Sequence, residues 1–179
     1  MNNKEVQFIA KQTMDYIKNV ITPGMKLMQV RKMCEKKMLE LGADSFWYWD
    51  IGAFIFSGDD TTKSVSGKEY ETADKYIEEN DIVTIDLSHQ CNHIWGDYAR
   101  TIIIEEGKVV ECLDSIQNEE WREGIALEQM LHQEFIDFVN DTTTFEALYY
   151  HMNSKIFEAR FLNLDFLGNL GHSIEKKSE

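Results

Sequence analysis

A single proline, Pro23, and three cysteines in 179 residues exclude several kinds of protein at the outset. No proline-rich or low-complexity tract separates one part of the chain from another, so one domain over residues 1–179 is expected. Cys34, Cys91 and Cys112 have no short pairing pattern and lie in apolar or strand-like surroundings. That argues against a disulfide framework or a zinc knot and for free thiols, buried or half-buried. Basic residues are few: 18 Lys and Arg stand against 32 Asp and Glu, a net charge of -14. Nucleic-acid backbone and anionic membrane are therefore poor partners. No apolar run reaches the length of a membrane span, and Met1-Asn2-Asn3-Lys4-Glu5 lacks the basic-then-apolar order of a signal peptide. A cytoplasmic location is expected. Histidine is sparse as well, and none precedes His89.

What is present is a foldable chain, 43% hydrophobic and 12% aromatic, long enough for one core. Val6, Ile9, Ala10, Met14, Ile17 and Val20 or Ile21 recur at helical spacing until Pro23-Gly24 stops them. A second helix carries Leu27, Val30, Cys34, Met38 and Leu41 on one face and ends at Gly42. Phe145, Leu148, Met152, Ile156 and Ala159 repeat that face, each 118 residues after its counterpart. A long helix with Leu127, Leu131, Phe135 and Phe138 precedes this repeat, broken at Asn140-Asp141-Thr142, and Thr143 to Glu146 reads as its capping box. A strand-like run follows each helix pair, residues 46–56 and 161–166. Two helix-helix-strand units predict an α+β fold, a pseudo-two-fold pair of halves on a curved, mostly antiparallel sheet. Glu106-Gly107 predicts a hairpin turn between Ile102-Ile103-Ile104 and Val109-Val110.

The chemistry concentrates in two carboxylates eleven residues apart, Asp86 and Asp97. Residues 82–87 and 94–104 read as neighbouring strands joined by a tight connection, so both side chains can enter one cleft. A carboxylate within an apolar strand is costly unless neutralised, and two facing each other are costlier. One or two divalent cations would neutralise them. On spacing alone a plainer reading stands beside this: Asp86 at a strand end, and Asp97 paired with Arg100 on the surface.

Ile85-Asp86-Leu87 followed by Gly96-Asp97-Tyr98-Ala99-Arg100-Thr101 resembles the metal-binding signature of the pita-bread metallopeptidases, which include methionine aminopeptidase, aminopeptidase P, prolidase and the creatinase-like hydrolases. Gly168-Asn169-Leu170-Gly171-His172-Ser173-Ile174 resembles the same family's Gly-His-x-Ile segment. The resemblance implies the pita-bread fold, a divalent metal centre of up to two ions (Mn, Co, Zn or Fe), and Asp86, Asp97 and His172 as metal ligands. It implies an aminopeptidase or dipeptidase acting on short peptides, with one metal activating water and the other polarising the carbonyl. Arg100 and Thr101 take structural roles, and the aromatic cluster Phe46, Trp47, Tyr48, Trp49 and Phe54 is core or cleft wall. The alternative is a non-catalytic pita-bread module that binds a peptide or protein partner in the cleft.

Two departures bear on that choice. The family's upstream histidine has no counterpart around Phe56-Ser57-Gly58-Asp59-Asp60-Thr61-Thr62-Lys63-Ser64, where Lys63 and Lys68 are the nearest cations. His89 and His93 are expected to be exposed, and no catalytic residue is assigned. Two further glutamate ligands of the family also have no counterpart, since Glu175 and Glu179 sit in a charged, solvated tail. The 179 residues are therefore expected to be part of a longer polypeptide lacking the C-terminal strands, and to be nearly inactive alone. An open sheet edge of this kind is expected to pair with a second copy or a companion C-terminal fragment.

Overall fold

The computed structural model describes residues 1–165 and 167–171, and they form two compact units, one spanning Met1–Glu111 and the other beginning at Cys112. In the first, α1 (Asn3–Val20) opens on a reciprocal cap, in which the Asn2 side chain accepts the Glu5 N–H and the Glu5 carboxylate accepts the Asn2 N–H. Its inner stripe is Val6, Ile9, Ala10, Thr13, Met14 and Ile17. α2 (Leu27–Glu40) buries Leu27, Val30, Cys34 and Met38. The chain leaves α2 through Gly42 at φ 107, a left-handed conformation that a side chain would strain. Both helices follow the spacing in the sequence.

Seven strands follow: β1 (Ser45–Phe46), β2 (Ala53–Ser57), β3 (Asp81–Leu87), β4 (His89–Cys91), β5 (Ile94–Trp95), β6 (Tyr98–Glu105) and β7 (Lys108–Val110). They form a four-stranded antiparallel sheet of order β2-β3-β6-β7 and a three-stranded sheet of order β1-β4-β5. Alternation along β3 is strict. Val83, Ile85 and Leu87 join Ala53, Ile55, Ile102 and Ile104 beneath the apolar stripes of α1 and α2. Thr84 and Asp86 face the other way, where Phe54 and Tyr70 form a smaller cluster with Ile51, Tyr48 and Phe56. Glu106 (φ 51) and Gly107 (φ 74) make the predicted β6–β7 turn, both in the left-handed region that such a tight turn requires.

Two local expectations are corrected here. The link between the two acidic strands is no tight connection, because β4 and β5 form a hairpin of their own, turning at Asn92 (φ 50) and His93 (φ 63) and pairing with β1 in the second sheet. Residues 46–56 are not one strand, since Trp49 and Asp50 take positive φ and break the run between β1 and β2. Asp50, Asn92 and His93 are residue types enriched at positive φ, but their strand-like neighbours mask that weak signal.

In the second unit a 3-10 turn at Leu113–Ser115 leads to α3 (Glu119–Phe138) and α4 (Phe145–Glu158). The cap of α4 lies one residue later than predicted: the Thr144 hydroxyl accepts the Ala147 N–H, whereas the Thr143 hydroxyl is engaged with Asn140 and Phe138. Residues 161–165 form no strand, and Phe166 lies outside the described residues. There the Asn163 amide donates to the carbonyls of Gly168 and Asn169, and the Asp165 carboxylate accepts the N–H groups of Leu167 and Asn169. Side chains that cap nearby backbone in this way compete with a strand ladder. On α4 the repeated stripe is uncovered at its ends: Phe145 is 84% exposed and Ala159 is exposed, Leu148 and Met152 are half-buried, and Ile156 is buried. The periodicity of α2 is repeated without a described strand to cover it.

Candidate metal centre

Asp86 lies in the middle of the larger sheet, with Phe54 as its partner on β2 and Ala99 as its partner on β6. Asp97 stands one residue before β6 begins and two before Ala99. Continued one residue back from Tyr98, the pleat of β6 would bring Asp97 into phase with Asp86 on the face away from α1 and α2; both residues are half-buried. Diagonal neighbours of this sort have Cβ atoms about 7 Å apart. A gap of that order would leave room for one or two divalent ions between the carboxylates. Thr84 and Thr101, paired on the same face with hydroxyls 3.2 Å apart, widen a polar strip along it. His172 lies outside the described residues. Among the described residues no group of three or more His, Cys, Asp or Glu side chains is gathered to hold a metal ion.

The backbone at Asp97 is held from elsewhere in the chain. Gly96 and Asp97 fall between β5 and β6, strands of different sheets. The Gly96 N–H donates to the His89 carbonyl at 2.8 Å, and the Trp47 indole N–H donates to the Gly96 carbonyl at 2.8 Å. The Gln7 amide, on α1, donates to the Asp97 carbonyl at 2.6 Å. Trp47 also stacks on Trp95, with ring centroids 4.5 Å apart. These anchors carry no motif of their own; only their lying next to a metal-type aspartate could have drawn attention to them.

His89 overturns its expectation. It is fully buried, its Nε2–H donates to the Val6 carbonyl at 2.7 Å, and its ring lies directly against Gly96. Burial holds its pKa below the ordinary histidine value, so the ring is neutral near pH 7. His93 is exposed, as expected. The three thiols are free, but Cys112 is exposed where a buried or half-buried position was predicted. Arg100 lies over the Tyr98 ring, 4.2 Å from its centroid, and donates to the Ala99 carbonyl at 2.6 Å.

Of the two cations expected near Ser57-Gly58, Lys63 is engaged in an ion-pair cluster, together with Lys75 rather than Lys68. Lys63 and Lys75 each lie 2.5 Å from an oxygen of the buried Asp60. Hydrogen bonds from the two lysines hold the Asp60 carboxyl below the usual carboxylate range. A carboxyl whose folded pKa lies below its unfolded value stabilises the fold above about pH 4, and that contribution is lost as pH falls through the folded pKa. Asp60→Asn should therefore be less stable than the wild type at pH 7, and the gap should close as urea melts are repeated towards pH 3. A gap that stays constant over this range would show that the pair does not govern stability there.

The first unit's two helices on an antiparallel sheet recur in solved structures. Prolidase from Pyrococcus furiosus matches with a TM-score of 0.71 at 23% identity, over 87% of this chain and 41% of that one. Prolidase from Pyrococcus horikoshii OT3 gives 0.72 at 22%, over 87% and 40%. The X-Pro aminopeptidase from Thermotoga maritima MSB8 gives 0.71 at 17%, over 87% and 40%. The model of metallopeptidase family M24 matches residues 2–178. The chain belongs to metallopeptidase family M24. Its fold is accordingly the α+β pita-bread fold, and it spans about two fifths of the length of these solved relatives. No curated protein matches it. Among the described residues, no helix is long and apolar enough to cross a membrane.

Proposed function

We propose that this M24 protein is a metal-dependent aminopeptidase or dipeptidase-like hydrolase of short peptides, with Asp86, Asp97 and His172 as metal ligands and both compact units parts of one catalytic-type domain. The observation that supports this reading is that half-buried Asp97 directly precedes β6, two residues before Ala99, the partner of half-buried Asp86, so that a continued pleat would bring two hard oxygen donors to one face of the sheet. Such a donor set fits Mn, Co, Zn or Fe ions. Bound there, one or two divalent ions would supply water activation and carbonyl polarisation. The protein's own contribution is placement. The middle strand fixes Asp86 through ladders on both sides, and Phe54, Phe56 and Tyr70 form an apolar wall on the same face. The wall would seat a side chain of the substrate and thin the water around the scissile bond.

The solved relatives are named as prolidases and X-Pro peptidases, so Xaa-Pro dipeptides and tripeptides head the trial substrates. The test is a peptide panel on the complete gene product with Mn2+, Co2+ and Zn2+ added separately. The expected result is hydrolysis that requires one of these metals and stops on chelation. A second reading, a peptide-binding module without catalysis, is favoured by one observation: the first histidine of the chain, His89, is locked against Val6. Peptide binding without turnover under every metal would replace the first reading by the second, and failure of both binding and turnover would refute both.

A further inference from the structure

The geometry points to Gln7 of α1 as a positioning residue for Asp97, and this rests on the reading of Asp97 as a metal ligand. Asp97 lies where neither sheet's ladder reaches, so the direction of its Cα–Cβ bond is set by whatever holds the carbonyls of residues 96 and 97. Two side chains do so, Trp47 on Gly96 and Gln7 on Asp97. Gln7 brings the rigidity of a helix to a residue ninety positions away. Its neighbour Val6 acts at the same junction, since its carbonyl accepts the His89 Nε2–H, and the His89 ring backs Gly96. Two consecutive residues of α1 thus grip both sides of the Gly96-Asp97 junction.

Gln7 does this without the signature of a residue that serves stability. Its Oε1 is buried, and among the described residues no group donates to it. A buried acceptor left unpaired opposes folding and offsets the hydrogen bond made by Nε2. What remains is the direction given to Asp97. Groups that orient a metal ligand typically cost about ten- to a hundredfold in metal affinity when removed.

The experiment uses the full 179-residue chain and Mn2+ alone. Gln7→Leu removes the donor and the unpaired acceptor together while keeping bulk, and Gln7→Glu keeps the shape but replaces the donor by an acceptor facing the Asp97 carbonyl. Mn2+ binding is followed by electron paramagnetic resonance, metal-free melting by circular dichroism, and amide hydrogen exchange at residues 96–98 by mass spectrometry. For Gln7→Leu the expected result is faster exchange at 96–98, a metal-free melting temperature close to that of the wild type, and Mn2+ affinity lower by about tenfold. Gln7→Glu should lose at least as much affinity. Wild-type affinity in both variants, alongside its loss in Asp97→Asn, overturns the positioning role alone. A fall in metal-free melting of more than about 10 °C in Gln7→Leu also overturns it, because the residue is then structural. Wild-type Mn2+ binding by Asp97→Asn, or no binding by the wild type, removes the metal reading and this inference with it.

Discussion

Asp86→Asn and Asp97→Asn should each lower Mn2+ affinity by about a hundredfold or more while leaving the metal-free chain as stable as the wild type, or more so. The two halves of this expectation have one physical origin. Asp86 occupies an inner strand of a sheet, between Phe54 and Ala99, and a second carboxylate, Asp97, stands one residue before the start of the neighbouring β6. Aspartate is a poor strand former, and like charges on one half-buried face repel. Asparagine keeps the shape, removes the charge and surrenders the ligand. A residue retained for function at some cost in stability behaves in this way. Asp81, at the start of the same strand, is the internal control. It is buried and accepts the N–H groups of Gly58 at 3.1 Å and Glu78 at 3.2 Å, so Asp81→Asn should cost about 1 kcal/mol of stability and leave Mn2+ binding unchanged. Calorimetric Mn2+ titrations paired with metal-free melts measure both quantities. If Asp86→Asn melts well below the wild type without metal, Asp86 is a structural carboxylate and the metal assignment loses its main support.

The parts of this molecule legible in its sequence are those governed by periodicity. The inner stripes of α1 and α2, the alternation that turns Asp86 away from Val83 and Ile85, and the Glu106-Gly107 turn each follow from spacing, because side-chain direction is fixed by the period of the element. Places where the chain changes direction are less legible. Residues 46–56 look continuous and the link from Asp86 to Asp97 looks like one tight connection because Trp, Tyr, Ile and Cys suit a strand and a turn flank equally, and the enrichment of Asp, Asn and His at positive φ is too weak a signal to place the turns at Trp49-Asp50 and Asn92-His93. Burial of polar groups was hidden for a different reason. His89 lies in a polar stretch between two aspartates and reads as exposed, yet the Val6 carbonyl, 83 residues away, gives its N–H a partner inside the core. The contacts that hold Asp97, from Gln7 and Trp47, are likewise long-range and depend on three dimensions that no motif records.

Gly96→Ala should be the most damaging single substitution near the site, costing about 3 kcal/mol or more of stability, although nothing in the conformation of Gly96 demands glycine. Its φ is not among the left-handed values of the chain, so the usual argument for glycine does not apply. The reason is space. A β-carbon at position 96 would overlap Cε1 and Nε2 of His89 and stand 2.9 Å from Nδ1. That ring cannot swing aside without breaking its hydrogen bond to Val6, and it is fully buried, so moving it also opens the core. The backbone cannot retreat freely either, being tied through its own N–H to the His89 carbonyl and through its carbonyl to Trp47. Gly24 provides the contrast: it has φ 84 and open space around its Cα, so Gly24→Ala should pay only a backbone penalty of about 1 kcal/mol. Urea melts rank the two. Because the clash is with one side chain, Gly96→Ala should cost less in a His89→Ala background than alone, a coupling that a double-mutant cycle reads directly. Additive effects, or a Gly96→Ala protein as stable as the wild type, would mean that the junction yields, and a yielding junction could not hold Asp97 against Asp86 with the constancy a metal site requires.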